Sequence, residues 1–317
     1  MNNSESAIQS VAEAQNSIQS LRVRLNTALV GKSDVIEMVI ACVLARGHLL
    51  FDDLPGLGKT TLAKALAASL GGNFARVQCT PDLLPTDISG FNVFNQKTQE
   101  FEFRRGPVFS DLLLADEINR ATPRTQSALF EAMAERQVTI DNNTMPLAST
   151  FLVIATQNPI ESHGAYPLPE AQLDRFAIKL SIGYPDRINE IEMLADNIGN
   201  GRTVDEHQAV TSLHELSQLQ DAVQNVEVTE AIRGYFVDLA TATREHSDIE
   251  IGLSPRGVII WQRMAQAWAY LQNRQFVIPD DIKTVAKPVL QLRISSKSRN
   301  NEATIDEVIN SVNVPGM

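Results

Sequence analysis

The first 45 residues carry apolar positions at helical spacing. Early in this stretch, apolar side chains recur every three, four or seven positions: Ile8, Val11, Ile18, Leu21 and Leu25. Ser, Gln and Asn fill many of the positions between them, so residues 5–29 are predicted to form an amphipathic helix. A second periodic stretch from Lys32 to Ala45 predicts another helix, which ends before Gly47.

Short apolar runs then replace this spacing and indicate β-strands. Five such runs are separated by helix-forming stretches: residues 48–51, 74–79, 112–115, 151–155 and 176–182. Strands that alternate with helices form a parallel sheet covered on both faces, and ligands bind at the carboxyl ends of such strands. The fold class predicted for this part is therefore α/β, in three layers (αβα).

Two segments interrupt the alternation, and the pattern changes completely after residue 185. Residues 91–103 and 138–147 each predict an inserted β-hairpin around a polar turn. Further on, only helices are expected, at residues 186–197, 207–223, 228–245, 255–272 and 279–290. We therefore predict two domains, an α/β core over residues 1–185 and a smaller all-helical domain over residues 186–317.

The charge of the chain narrows its range of partners. Acidic residues outnumber basic ones by 38 to 27, which gives a net charge of −11. Such a field repels nucleic acids and anionic membranes, and it argues against both as partners. Because no apolar run approaches the ~18 residues that cross a bilayer, and because the first residues lack signal-peptide character, we expect a cytoplasmic protein without membrane insertion.

The residues that follow the first strand match a phosphate-binding loop. Residues 53–60 read Asp-Leu-Pro-Gly-Leu-Gly-Lys-Thr and lie between a predicted strand and a predicted helix. In the pattern Gly-x-x-x-x-Gly-Lys-Thr, backbone N–H groups surround the phosphates, the lysine reaches the β- and γ-phosphates, and the threonine binds Mg²⁺. Gly56, Gly58, Lys59 and Thr60 meet this pattern, whereas Asp53 replaces its first glycine. The predicted ligands are ATP and Mg²⁺.

Polar residues also end two later strands. The run Leu112–Ala115 is followed by Asp116 and Glu117, which fits a Walker B motif. In this arrangement Asp116 binds Mg²⁺ and Glu117 polarises the attacking water. Asn158 follows the strand at 151–155, and it either orients this water or only forms a turn before Pro159.

In this order, the motifs resemble those of the AAA+ ATPases and, within them, the MoxR family, whose members often have a residue other than glycine at the position of Asp53. The resemblance spans about residues 30–260 and is carried by 53–60, 103–109 (Phe-Arg-Arg-Gly-Pro-Val-Phe), 116–121 (Asp-Glu-Ile-Asn-Arg-Ala), 155–159 (Ala-Thr-Gln-Asn-Pro), 168–176 (Leu-Pro-Glu-Ala-Gln-Leu-Asp-Arg-Phe) and 254–256 (Ser-Pro-Arg). It implies a P-loop AAA+ core followed by a helical lid, and an ATPase that converts ATP and water to ADP and phosphate. Further nucleotide contacts are implied at Gly31, Pro55, Leu57 and Thr61.

The resemblance also assigns arginines to the γ-phosphate. Arg175 is expected to act as an arginine finger toward the nucleotide of a neighbouring subunit, unless it is a surface residue paired with Asp174 or Glu170. Arg256 matches the sensor 2 position, in the first turn of a helix after Ser254 and Pro255. Arg120 is a candidate for a further intersubunit contact.

A finger that acts on a neighbour implies a homo-oligomer, expected to be a hexameric ring. In related rings, hairpin inserts face the pore or the substrate, and the alternative is that these two hairpins only decorate the surface. The resulting hypothesis is a chaperone-like remodeller of client proteins, with a von Willebrand A domain protein as a candidate partner. A DNA-associated motor and a slow nucleotide-gated scaffold are the alternatives, and the scarcity of Lys and Arg in the hairpins disfavours the former.

Overall fold

The computed structural model describes residues 2–141, 143–159, 165–197, 209–297 and 301–316. The helices are α1 (Asn2–Ala28), α2 (Ser33–Leu44), α3 (Lys59–Ser69), α4 (Pro85–Ser89), α5 (Pro123–Glu135), α6 (Glu170–Leu173), α7 (Arg187–Asn197), α8 (Leu213–Gln224), α9 (Glu230–Glu245), α10 (Pro255–Leu271), α11 (Pro279–Leu290) and α12 (Asn301–Ser311). The strands are β1 (Leu49–Asp52), β2 (Phe74–Gln78), β3 (Gly90–Asn95), β4 (Glu100–Arg105), β5 (Leu112–Asp116), β6 (Gln137–Ile140), β7 (Asn143–Pro146), β8 (Leu152–Gln157), β9 (Ile178–Leu180), β10 (Ile249–Ile251) and β11 (Ser295–Ser296).

The five predicted core strands form one parallel sheet in the order β2-β5-β8-β1-β9. Alternate residues of each central strand point to opposite faces, as the two-residue period of a strand requires. In β5, Leu112 and Leu114 pack into one apolar cluster, and Leu113 and Ala115 pack into another on the other face. The α/β class is therefore confirmed, and the sheet is buried on both sides.

Helices α1 and α2 cover one face of this sheet together with α3. Three residues of the predicted stripe, Ile18, Leu21 and Leu25, are buried, and so is Leu29 in the turn after α1. The other two, Ile8 and Val11, lie outside the residues whose side chains the structure describes. Arg22 on α1 forms an ion pair with Glu37 on α2, with one N–O distance of 2.8 Å. Both predicted N-terminal helices are confirmed, and their packing brings the end of α1 to the carboxyl edge of the sheet.

The C-terminal helices share the apolar cluster of α2. Trp261 on α10 is fully buried and donates a hydrogen bond to the carbonyl of Ile282 on α11, at 3.0 Å. Arg293, which follows α11, is 8% exposed and forms an ion pair with Asp174, at 2.8 Å. Its guanidinium also donates to the carbonyl oxygens of Phe176 and Ala177. These contacts join the helical part to the end of the core, although the boundary at residue 185 remains a prediction.

The prediction that no strand follows residue 185 is wrong. Strands β10 and β11 pair in antiparallel fashion beside α9. They are three and two residues long, and such short segments give no detectable alternation. The predicted helix at 207–223 begins at Leu213 within the described residues, and its expected start lies outside them.

Both predicted hairpins are confirmed as β3–β4 and β6–β7. Asn92 on the first hairpin donates a hydrogen bond to Asp141, in the turn of the second, at 2.7 Å. The two inserts are therefore in contact with each other. Among the described residues, the structure contains no helix whose length and apolar character suit it to cross a membrane.

Candidate functional site

A cleft of about 790 Å³ opens at the carboxyl ends of β1, β5 and β8. Most of the predicted site residues line it: Pro55, Gly56, Leu57, Gly58, Lys59, Thr60, Thr61, Asp116, Glu117 and Asn158. The parallel sheet brings together three segments that are far apart in sequence, because adjacent parallel strands end at the same edge. Two predicted residues, Arg175 and Arg256, line a different cavity.

The phosphate loop has the backbone that its glycines allow. Gly56 and Gly58 adopt φ angles of +85° and +89°, which side-chain-bearing residues rarely reach. A Cβ atom on Gly56 would meet nothing within 4 Å, because this residue faces the open cleft. Gly58 is the N-cap of α3, so the loop ends at a helix terminus whose free N–H groups favour phosphate. The loop is therefore suited to bind the phosphates of a nucleoside triphosphate.

Lys59 lies at the base of the loop, and only 9% of its surface is exposed to solvent. Its ammonium group donates hydrogen bonds to the carbonyl oxygens of Asp53, at 2.7 Å, and Leu54, at 2.9 Å. Burial lowers the pKa of Lys59, and the negative charges of Asp53 and Asp116 oppose this effect. Because the ammonium group is hydrogen-bonded to neutral carbonyl oxygens, its positive charge is available to bind the phosphates of an incoming nucleotide.

Asp116 and Glu117 are joined through one threonine of the neighbouring strand. The hydroxyl of Thr156, on β8, donates to a carboxylate oxygen of Asp116 at 2.6 Å and accepts the backbone N–H of Glu117 at 2.9 Å. Glu117 has a left-handed backbone with φ of 55°, and it forms an ion pair with Arg120 at 2.9 Å. Arg120 thus contacts the expected catalytic carboxylate of its own chain.

Three residues of the cleft were missed by sequence reasoning. Arg76, on β2, also lines the cleft and forms an ion pair with Asp116 at 2.6 Å. Its only sequence signal is a cation inside an otherwise apolar strand. Thr156 is part of the motif at residues 155–159, to which sequence reasoning assigned a role only at Asn158. The third residue is Asp53.

Asp53 replaces the first glycine of the phosphate loop and connects the loop to the chain after β9. Its carboxylate is buried, and it accepts hydrogen bonds from Ser181 Oγ at 2.6 Å, Ile182 N at 2.5 Å and Gly183 N at 3.3 Å. Ile182 and Gly183 are themselves part of the cleft wall. Asp53 therefore holds this wall against the phosphate loop.

Gly31 lies beside the cleft, and its neighbours Val30 and Lys32 line it. Its φ angle is +73°, and a Cβ atom at this position would lie 2.2 Å from the side chain of Asn189 on α7. The ammonium of Lys32 donates to the carbonyl of Tyr184 at 2.7 Å. The segment after α1 and the segment before α7 thus form one edge of the cleft.

Arg175 and Arg256 lie together in a second cavity of about 450 Å³. Arg175 donates to the carbonyl of Ala171, at 2.5 Å, and its buried Nε has no hydrogen-bond partner. Among the described residues, Arg175 forms no ion pair with either alternative partner, Asp174 or Glu170, and Asp174 pairs with Arg293. Arg256 is exposed in the first turn of α10, where Ser254 caps the helix by accepting the N–H of Gly257 at 3.0 Å.

Comparison with known proteins finds family models, relatives and a solved structure that this chain resembles. The family described as "ATPase family associated with various cellular activities (AAA)" matches residues 48–178, and the AAA lid domain matches residues 241–312. The uncharacterized protein YeaC of Bacillus subtilis is 45% identical over 92% of this chain and 92% of its own length. The chaperone MoxR1 of Mycobacterium tuberculosis is 38% identical over 90% of this chain and 79% of its own. The crystal structure of a protein assigned as an ATPase, from Cytophaga hutchinsonii, covers 98% of this chain and 99% of that one, at 35% identity and a TM-score of 0.90.

Proposed function

Because this chain belongs to the MoxR family of AAA+ ATPases, we propose that it binds ATP with Mg²⁺ in the cleft at the sheet edge and hydrolyses it to ADP and phosphate. The observation that carries this proposal is the convergence of the phosphate loop, Asp116, Glu117 and Asn158 on one cleft. The similarity to MoxR1 and to AAA families supports the same conclusion.

Each residue has a distinct part in the proposed reaction. Lys59 and the backbone N–H groups of the loop bind the phosphates, and Thr60 and Asp116 would hold the metal ion. Bound Mg²⁺ would supply charge neutralisation at the phosphates. Glu117 polarises the attacking water and Asn158 orients it, so that hydrolysis depends mainly on positioning.

The hydrolysis proposal is tested by replacing Glu117 with Gln. This change keeps the shape of the side chain, so ATP affinity is expected to stay within about threefold while kcat falls at least ~100-fold. The matched control is Glu131→Gln on the exposed face of α5, which should leave both values unchanged. Wild-type turnover in Glu117→Gln would exclude this role for the glutamate.

The separate cavity of Arg175 and Arg256 supports an oligomeric site. Neither arginine lines the cleft of its own chain, so we propose that both act on the nucleotide of the next subunit in a head-to-tail ring, expected to hold six copies. A guanidinium placed at the γ-phosphate stabilises the charge that develops in the transition state. In this arrangement, sensor 2 and the finger report the state of one nucleotide to the adjacent subunit.

Mixing two inactive variants tests whether Arg175 acts on the nucleotide of the neighbouring subunit. Arg175→Ala and Glu117→Gln are each expected to be inactive alone, because one lacks the finger and the other lacks the base. In mixed rings, roughly a quarter of the sites combine an intact Glu117 with an intact Arg175 from the neighbour, and activity should return to that extent. If mixing restores nothing although light scattering shows mixed rings, the trans assignment of Arg175 is wrong.

The output of the cycle is proposed to be remodelling of a client protein. The name of MoxR1 as a chaperone supports this role, and a protein with a von Willebrand A domain is a candidate partner. On the first hairpin, Phe94 and Phe101 are 49% and 73% exposed, with ring centroids 5.4 Å apart. We expect Phe94→Ser/Phe101→Ser to keep basal ATP turnover and to lose any stimulation by the client, measured as phosphate release.

A slow nucleotide-gated scaffold is the second candidate, and the ion pair between Glu117 and Arg120 favours it. A carboxylate oxygen that accepts a hydrogen bond from a cation of its own chain is less available to position the attacking water. Measured kcat separates the two candidates: turnover that stays below one per minute in assembled wild-type rings with any client would favour the scaffold.

A further inference from the structure

Helix α10 presents an exposed apolar stripe bordered by positive charge. Arg256, Ile259, Ile260 and Arg263 recur at positions i, i+3, i+4 and i+7, and therefore share one face of the helix. Ile259 is 53% exposed, and both arginines are exposed as well. The helix contains no acidic residue, and within the described part of the chain neither arginine forms an ion pair.

Helix α7 presents a similar stripe bordered by negative charge. Ile188, Ile191 and Leu194 recur every three residues and are 70%, 51% and 65% exposed. Glu190 and Glu192 lie on either side of this stripe, and neither side chain pairs with another described residue. One cation, Arg187, stands at the first position of the helix.

The opposite face of α7 borders the nucleotide cleft. Met193 lines the cleft, and Asn189 lies against Gly31 at the edge where a base would bind. The α10 stripe, in contrast, borders the cavity of Arg175 and Arg256. The two stripes therefore flank the two halves of the proposed intersubunit site, one on the nucleotide side and one on the finger side.

From this placement we propose that the α10 stripe of one subunit docks on the α7 stripe of a second copy of the chain. The inference rests on the proposed ring and specifies its contact. Docking would bury four exposed aliphatic side chains and the partly exposed Ile260, and it would bring Arg263 to face glutamates. Both effects favour association. The contact is heterologous, so a stripe never meets its own copy, and like charges stay apart.

The same docking would link assembly to nucleotide binding. The chain leads into α7 from Ile182 and Gly183, which form part of the cleft wall and are hydrogen-bonded to the carboxylate of Asp53 in the phosphate loop. A neighbour bound to the outer face of α7 therefore contacts an element whose inner face and preceding segment meet the nucleotide. Filled clefts are expected to dock more tightly than empty ones.

Cysteine cross-linking tests the contact. The chain has two cysteines, Cys42 and Cys79, which are at most 1% exposed, and burial raises the pKa of Cys79 to about 12, so that neither reacts readily. In Ile191→Cys/Ile259→Cys, a short bismaleimide with ATP should join subunits into a ladder that extends to the ring. An equal mixture of the two single variants should give dimers at most, because each protein carries only one half of the contact.

The outcomes separate this inference from the proposed ring. An assembled double variant that gives no ladder would overturn the docking of α10 on α7 and leave the ring intact. Wild-type protein that remains monomeric with ATP by light scattering would overturn the ring and the docking together. Cross-linked dimers from either single variant alone would also contradict the docking, because a stripe would then meet its own copy.

Charge reversal provides an independent test. Arg263→Glu is expected to weaken ATP-dependent assembly at least tenfold, and Glu190→Arg/Glu192→Arg should do the same; combining the three changes should recover most of the loss. Arg124→Glu, an exposed arginine on α5 that borders neither stripe, is the control and should assemble like the wild type. Loss without recovery in the combined variant would show that these charges do not face each other.

Discussion

Asp53 offers a sharp test of how the phosphate loop is held. Its carboxylate accepts three hydrogen bonds from Ser181, Ile182 and Gly183, and it is 5% exposed. In Asp53→Ala, two backbone N–H groups of a partly buried segment lose their acceptor. A hydrogen bond to a charged group contributes about 1.5–3 kcal/mol, and the contributions of bonds to one acceptor are not additive. We therefore expect the free energy of unfolding to fall by about 3–4 kcal/mol.

Urea unfolding followed by tryptophan fluorescence measures this change, and a double-mutant cycle identifies its origin. Ser181→Ala removes one donor and should cost about 1 kcal/mol, while the pair with Asp53→Ala should show a coupling energy of about 1 kcal/mol. The KM for ATP should also rise about tenfold in Asp53→Ala, because the cleft wall is no longer held against the loop.

The neighbouring carboxylate of Asp52 provides the control for Asp53→Ala. Asp52→Asn alters the adjacent carboxylate, which pairs with the half-buried Lys179 at 2.5 Å, and its effect on KM should stay within about twofold. If Asp53→Ala and Asp52→Asn changed the unfolding free energy and KM equally, Asp53 would have no special role at the loop. A change below about 0.5 kcal/mol would refute the hydrogen-bond argument itself.

Three further predictions concern the sheet edge and the core. Burial lowers the pKa of His48 to about 4, and its ring is hydrogen-bonded to the backbone of Met133 and Val153. Because the unfolded chain binds the proton at a higher pH, the free energy of unfolding should fall by about 3 kcal/mol as the pH drops from about 6.5 to about 4. Urea titrations of His48→Gln should lack this pH dependence. Thr156→Val should lower kcat about tenfold with little change in KM, because it removes the hydroxyl that joins Asp116 to Glu117; an unchanged kcat would exclude this positioning role. Arg293→Met should lower the unfolding free energy by about 3–5 kcal/mol, because the carboxylate of Asp174 loses its ion-pair partner and two carbonyl groups lose their donor. The control Arg233→Met, on the exposed side of α9, should cost under about 1 kcal/mol in the same denaturation assay.

The sequence by itself determined the parts of this protein that depend on local order. A strand that leads into Gly56-Leu57-Gly58-Lys59-Thr60 and a helix already defines a phosphate loop, because its backbone needs only these glycines and this helix terminus. Short apolar runs likewise predicted the five core strands, polar turns predicted both hairpins, and helical spacing predicted most long helices. Their agreement with the structure reflects burial, because strands buried on both faces are apolar throughout and helices buried on one face are apolar on that face.

Contacts between distant segments were decided only by the tertiary structure. Asp53 and Ser181 are 128 positions apart, and nothing near either residue indicates that the carboxylate of one accepts a hydrogen bond from the hydroxyl of the other. The same holds for Arg76 beside Asp116, for Arg293 beneath Asp174, and for the cavity that separates Arg175 and Arg256 from the cleft. Side-chain partners depend on how strands are ordered in the sheet and how helices pack on it, and a local pattern along the chain does not contain that order.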